Sequence, residues 1–345
     1  MKAFPSLSLV AVISLSLLLF SSCKKQPPQP GASKIEYAKE AVFPKVEGVE
    51  LGIYERPRDF KLTREEGERL LNRLSELSSS RPVFTVNNEM RSEGETWFNT
   101  VQDPSAAARI NERSGDVLFN AGMMNYRGDN PTPGLLRADA APQRAQEYLR
   151  RLELPINERE LVVAHLGGVN LGIHEEDRTQ VVEKFTVVRF DRQFDNIPVY
   201  GHSRIVLQLA EEGRLNAFTW QWPPFNKRRI SREDLRTSTD EMKAELERAV
   251  LGENTDAAKI RIESIQLIYF DDGRGTVEPA LRVKGKTIHE GKERQEFPYD
   301  TVIPLLKSPQ AKYPFQHRVE KQPNAIDNPN EARQMPRGPD EGEQR

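Results

Sequence analysis

The sequence predicts an α+β protein made of repeated units, each a helix packed on an antiparallel sheet. Three observations point there. Capping signatures at Thr63 and Ser231, and a helical apolar stripe after Asp139, mark three helix starts. Each is followed by strand-like segments, and in one of them Ile205, Leu207 and Leu209 alternate with Arg204, Val206 and Gln208, the period of a strand with one buried face. The helix-then-strands order recurs at a spacing of about 80 to 90 residues, with little residue identity between units.

The chain opens with Met1-Lys2 and the uncharged run from Leu7 to Phe20, the length of a secretory apolar core and short of the roughly 20 residues that span a bilayer. The run ends in Phe20-Ser21-Ser22-Cys23, which resembles the bacterial lipoprotein signal. Residues 1–22 are then a signal peptide, and Cys23 is the lipidated mature N-terminus whose acyl chains enter the bilayer. Lys24 directly after it implies the outer membrane. Residues 23–34 are a polar, proline-rich tether.

Residues 35–134 form the first expected unit. Thr63 with Glu66 makes a capping box ahead of a stripe of Leu70, Leu71 and Leu74, and the Ser78-Ser79-Ser80-Arg81-Pro82 run stops the helix. Strands are predicted at 83–86, 95–101, 106–111 and 116–120, and the turn-rich stretch 125–138 closes the unit.

Residues 135–230 form the second. Ala145, Tyr148, Leu149 and Leu152 recur at helical spacing, and strands are predicted at 160–166, 180–191, 197–209 and 214–222. Gly167 to Gly172 lacks the Gly-Lys-Ser/Thr ending of a phosphate loop and reads as a flexible loop. Residues 231–307 are the third unit: a helix from Ser231 through Met242, Leu246, Ala249 and Val250, then strands at 260–270, 276–284 and 296–306. Residues 308–345, rich in proline and poor in large apolar side chains, read as a disordered tail.

Arg189-Phe190, Phe194, Asp195-Asn196, Ile197-Pro198-Val199-Tyr200-Gly201 and Glu212-Gly213 together resemble the core hairpin of the fungalysin/thermolysin propeptide family and its PepSY relatives. The resemblance covers 185–222. It implies a cystatin-like helix over a curved antiparallel sheet, acting as inhibitor and folding aid for a protease. In this chain His202 stands where the family often has a second glycine.

Composition narrows the function. With 50 Lys plus Arg against 52 Asp plus Glu, the chain lacks the basic excess of a nucleic-acid binder. A single cysteine rules out an intrachain disulfide or a Cys-x-x-Cys pair. The five histidines do not pair at metal-ligand spacing, and there is no His-Glu-x-x-His or Gly-x-Ser-x-Gly motif. The expectation is therefore a membrane-anchored envelope lipoprotein without a cofactor or a catalytic motif, binding or inhibiting an envelope protein or peptidase. Tyr200 and His202, placed on one face by strand alternation, and the aromatic cluster with Trp220 and Trp222 are the candidate partner-binding residues. Trp220 and Trp222 have the alternative of closing a core. Two readings compete with the binding module: a hydrolase whose carboxylates converge only in three dimensions, and a glycan-binding scaffold.

Overall fold

The computed structural model describes residues 34–314 except 93, 123–125, 127, 176–177 and 292–293. The signal segment, Cys23, the tether up to residue 33 and the chain from 315 onward lie outside the described residues.

In chain order come β1 (Ile35–Tyr37), β2 (Gly52–Glu55), α1 (Arg64–Leu77), β3 (Thr85–Ser92), β4 (Glu95–Asn99), β5 (Ala107–Asn111) and β6 (Val117–Asn120). They are followed by α2 (Ala141–Arg151), β7 (Leu161–Glu175), β8 (Arg178–Phe194), β9 (Ile197–Gly201), β10 (Arg204–Leu209), β11 (Leu215–Gln221) and β12 (Asn226–Arg229). The last are α3 (Thr239–Glu253), β13 (Lys259–Asp271), β14 (Thr276–His289) and β15 (Gln295–Pro304).

The repeated helix-on-sheet architecture is not what forms. Fifteen strands join in one mixed sheet with the order β12-β2-β14-β13-β9-β8-β10-β11-β6-β5-β4-β3, and three α-helices are the minor component of the described residues. Strands from different helix-led segments pair with each other: β6 with β11, β2 with β14 and β12, and β9 in parallel with β13. Alternation in a sequence fixes which face of a strand is buried and leaves its partner open, so the expected closure of each unit on itself had no support in the pattern.

The local signals fared better than the architecture. Thr63 and Glu66 form a reciprocal capping box, and α1 buries Leu70, Leu71, Leu74 and Leu77. In the third helix the cap moves: Ser231 opens only a short 3-10 turn, and Ser238 with Glu241 caps α3. Both capping boxes satisfy amide donors that have no partner within the helix. The Gly167–Gly172 segment, expected to be a loop, is the middle of β7, where Gly167, Gly168 and Gly172 pair with Val187, Thr186 and Val181. The long β-branched partner β8 supplies a ladder that tolerates the glycines.

Two buried clusters lie along the sheet. One joins α3 to β2, β9, β13, β14 and β15 through Leu246, Val250, Ile260, Tyr269 and Val283, and the other joins α1 and α2 to β5, β6, β8, β10 and β11 through Leu74, Leu149, Ile110, Phe190 and Leu207. The chain expected to leave the fold at 308 stays on it to 314, with Ala311 and Tyr313 buried in the first cluster.

Candidate functional site

The β8–β9–β10 segment connects the two clusters, and its backbone explains its geometry. Asp195 and Asn196, both at positive φ (51° and 64°), make the two-residue turn between β8 and β9. Asp and Asn tolerate this conformation best among residues with side chains, and two consecutive positive φ values match the twist of a tight hairpin. Pro198 pairs with Gln193, and the parallel ladder to β13 begins one residue later, at Val199 opposite Tyr269, so the missing N–H falls before that ladder.

Gly201 then crosses β13 so closely that a Cβ there would lie 2.1 Å from the Asp271 carbonyl oxygen, at a φ of +122°. Only glycine fits, and the strand breaks between β9 and β10. This break overturns the expected shared face of Tyr200 and His202. Tyr200 and Ser203 line one cavity, whereas His202 turns toward Asp116.

The cavity, of about 350 Å³, also receives Arg189 and Asp191 from β8, Arg204 from β10 and Arg282 from β14. The Arg282 guanidinium stacks 4.0 Å from the Tyr200 ring centroid while its Nε and Nη2 grip Asp300 at 3.0 and 2.5 Å. Arg189 pairs with Asp191 at 2.9 Å, and among the described residues its buried Nε has no hydrogen-bond partner. Arg204 donates to Gln221 at 2.9 Å.

Below the cavity, the Ser203 hydroxyl donates to Asp271 Oδ2 at 2.5 Å, both residues being buried. His202 Nε2 lies 3.0 and 3.2 Å from the two carboxylate oxygens of Asp116. Burial disfavours the charged imidazole, but the hydrogen bond and charge of Asp116 and the charge of Asp271 outweigh it, so the His202 pKa is raised. Ser203 and His202 thus face different carboxylates. The pair does not form the hydroxyl-to-imidazole relay that activates a serine nucleophile.

Trp220 and Trp222 are buried, 6 % and 2 % exposed, and do not form the exposed aromatic surface weighed from the sequence. Trp222 instead stacks on Arg192, whose guanidinium carbon is 4.1 Å from its ring centroid, 5.1 Å from that of Phe225 and 5.5 Å from that of Phe194. Arg192 also donates to the Pro223 carbonyl at 2.9 Å and pairs with Glu160 at 3.2 Å. Burial lowers its pKa to about 10, against the opposing pull of Glu160 and Asp271.

On the far side of β8 lies β7. Among the described residues no strand pairs with its outer side. From Leu161 to Ile173 it carries no Lys, Arg, Asp or Glu, and it exposes Val162, Val163, Leu166, Val169 and Leu171, each by roughly two-fifths. Two other outermost strands are guarded: β12 carries Lys227, Arg228 and Arg229, and β15 carries Glu296, Pro298 and Asp300.

Sequence reasoning missed Arg192, Arg204, Arg282 and Asp116. Arg189 and Asp191 had a readable signal, opposite charges two residues apart on one strand face. Arg282 had none, since it arrives from a strand far along the chain. Among the described residues no group of three His, Cys, Asp or Glu is placed to hold a metal ion, and no helix is long and apolar enough to cross a membrane.

The chain matches no protein-family model and no curated protein. Among solved structures it is similar to an uncharacterized protein from Eubacterium rectale, with 14 % identity over 76 % of this chain and 86 % of that one and a TM-score of 0.47.

Proposed function

We propose that this protein is an envelope lipoprotein that binds another envelope protein without catalysis, by pairing the edge of β7 with an extended segment of its partner. The observation that carries the reading is the outer edge of β7, free of charged residues from Leu161 to Ile173 and unpaired among the described residues, beside edges blunted by charge or proline. An added strand satisfies a row of backbone donors and acceptors at once, and the exposed Val and Leu side chains supply apolar contact for its alternate residues. An envelope peptidase is the partner class that the propeptide-like hairpin at 185–222 favours. Cys23 supplies the anchor, through acyl chains that hold the chain on the membrane.

The test is a Val163→Lys, Leu166→Lys and Val169→Lys variant, cross-linked in intact envelopes beside the native chain. These side chains are already part exposed, so the melting temperature stays near native while the cross-linked partner is lost. Unchanged capture of the same partner by the variant overturns the reading. A Cys23→Ser variant labelled with radioactive fatty acid tests the anchor separately: label and membrane association both disappear, and equal labelling of the two chains contradicts acylation at Cys23.

A further inference from the structure

A second cavity, of about 420 Å³, is lined by Arg56, Arg58, Lys61, Arg113 and Arg274 around Phe60. Among the described residues no aspartate or glutamate lines it. The cavity is assembled from three places in the fold: the segment between β2 and α1, the β5–β6 turn and the β13–β14 turn. Each joint is fixed. The Arg56 amide donates to the Gly275 carbonyl at 2.8 Å, and the Leu62 amide donates to the Glu112 carbonyl at 3.0 Å. Gly275, at a φ of +104°, leaves room for the Arg56 guanidinium where a Cβ would sit 3.3 Å from it. Phe60 lies against Gly115, with its ring edge 2.7 Å from where a Cβ would be.

The acids nearest in sequence among the described residues are outside the lining. Asp272 accepts from the backbone amides of Arg274 and Lys312 at 2.9 and 2.8 Å, Glu112 accepts from the Thr96 hydroxyl at 3.3 Å, and Asp59 is exposed outside the lining. Outside the cavity Arg228 pairs with Glu55 and Arg232 with Glu47, both at 3.0 Å. Among the described residues, the charged ends of Arg56, Arg58, Lys61 and Arg274 have no carboxylate partner. Convergence of like charges raises the local potential and is offset by an anion held between them.

From this placement we infer that the cavity binds a phosphate-bearing anion. A carboxylate brings one negative charge, too few for this lining. A phosphate monoester brings nearly two, with three acceptor oxygens that several guanidinium forks grip together. The size is that of a small-ligand pocket. Free phosphate and the phosphate headgroup of a lipid share this chemistry.

The test titrates the full chain in neutral detergent with two probes, inorganic phosphate and a short-chain phosphatidic acid below its micelle concentration, each by calorimetry. Saturable binding of either probe is expected, weakened at least tenfold by the Arg56→Gln, Arg274→Gln double variant and unchanged by Arg232→Gln, which lies outside the cavity. Binding of both probes with similar affinity assigns the site to phosphate itself, and binding of phosphatidic acid alone assigns it to a lipid headgroup. Near-native melting of the double variant shows that the loss belongs to the site. Binding of neither probe, or equal binding by the double variant, overturns the inference.

Discussion

The Arg192 guanidinium stacks 4.1 Å from the Trp222 ring centroid, in a side chain that is 3 % exposed. The arginine is sealed under aromatic rings and keeps its charge through Glu160 and the Pro223 carbonyl. Planarity matters here, because a guanidinium covers a ring face and still directs its N–H groups sideways, which an ammonium does not.

Arg192→Ala is therefore expected to lower stability by about 3 kcal/mol, since it empties an aromatic cage and removes the cation paired with Glu160. Arg192→Lys recovers only part of that. Urea unfolding followed by tryptophan fluorescence reads both, and a loss below about 1 kcal/mol for the alanine variant contradicts the cage as a stabilising unit.

The contrast between Trp222 and Tyr200 shows how far the sequence could be read. Helix stripes and turns were legible because they depend on neighbours in the chain: Thr63 with Glu66, and Asp195 with Asn196. Strand partners were not, because Phe119 meets Phe218 and Val199 meets Tyr269 across separations that no local pattern encodes. Tyr200 was singled out for its chemistry, and the structure places it on a cavity wall, but under Arg282 and away from His202. The reason is one backbone crossing at Gly201, visible in sequence only as a glycine. The edge character of β7 was half legible: its lack of charge is plain in the sequence, and its position outside β8 is not.

The His202–Asp116 pair makes stability depend on pH. The folded-state pKa of His202 lies above its unfolded value, so protonation favours the fold. That contribution is complete below the ordinary histidine pKa of about 6.5 and is lost as pH rises through the folded value. Asp116 and Asp271 face the ring as acids and Arg204 as a base. Melting curves at a series of pH values are expected to fall across this window for the native chain and to flatten for His202→Gln and for Asp116→Asn. A slope that both variants retain assigns the dependence to another group.

At the end of the described chain, Glu278 gives linkage of the same sign, driven by burial of a carboxyl. Fully buried, it accepts the Gln310 amide at 2.7 Å and the Tyr313 hydroxyl at 3.4 Å, and so clasps residues 310–313 to β14. Burial raises its pKa despite these donors. A carboxyl that holds its proton more tightly in the folded state costs stability as pH rises from its unfolded pKa toward the folded one. Glu278→Gln is thus expected to gain stability relative to the native chain at pH 8 compared with pH 4. Equal differences at the two pH values contradict a raised Glu278 pKa in the fold.

The most direct measurement of the binding account is amide hydrogen exchange along β7, made on the purified chain and on the chain in its isolated envelope complex. In the purified chain, every second amide from Leu161 to Gly172 is expected to exchange fast, because among the described residues only β8 pairs with this strand. In the complex those same amides become protected, while amides of the guarded edge β12 keep their rates. Equal, fast exchange of β7 in both samples contradicts strand pairing at this edge as the way the protein binds.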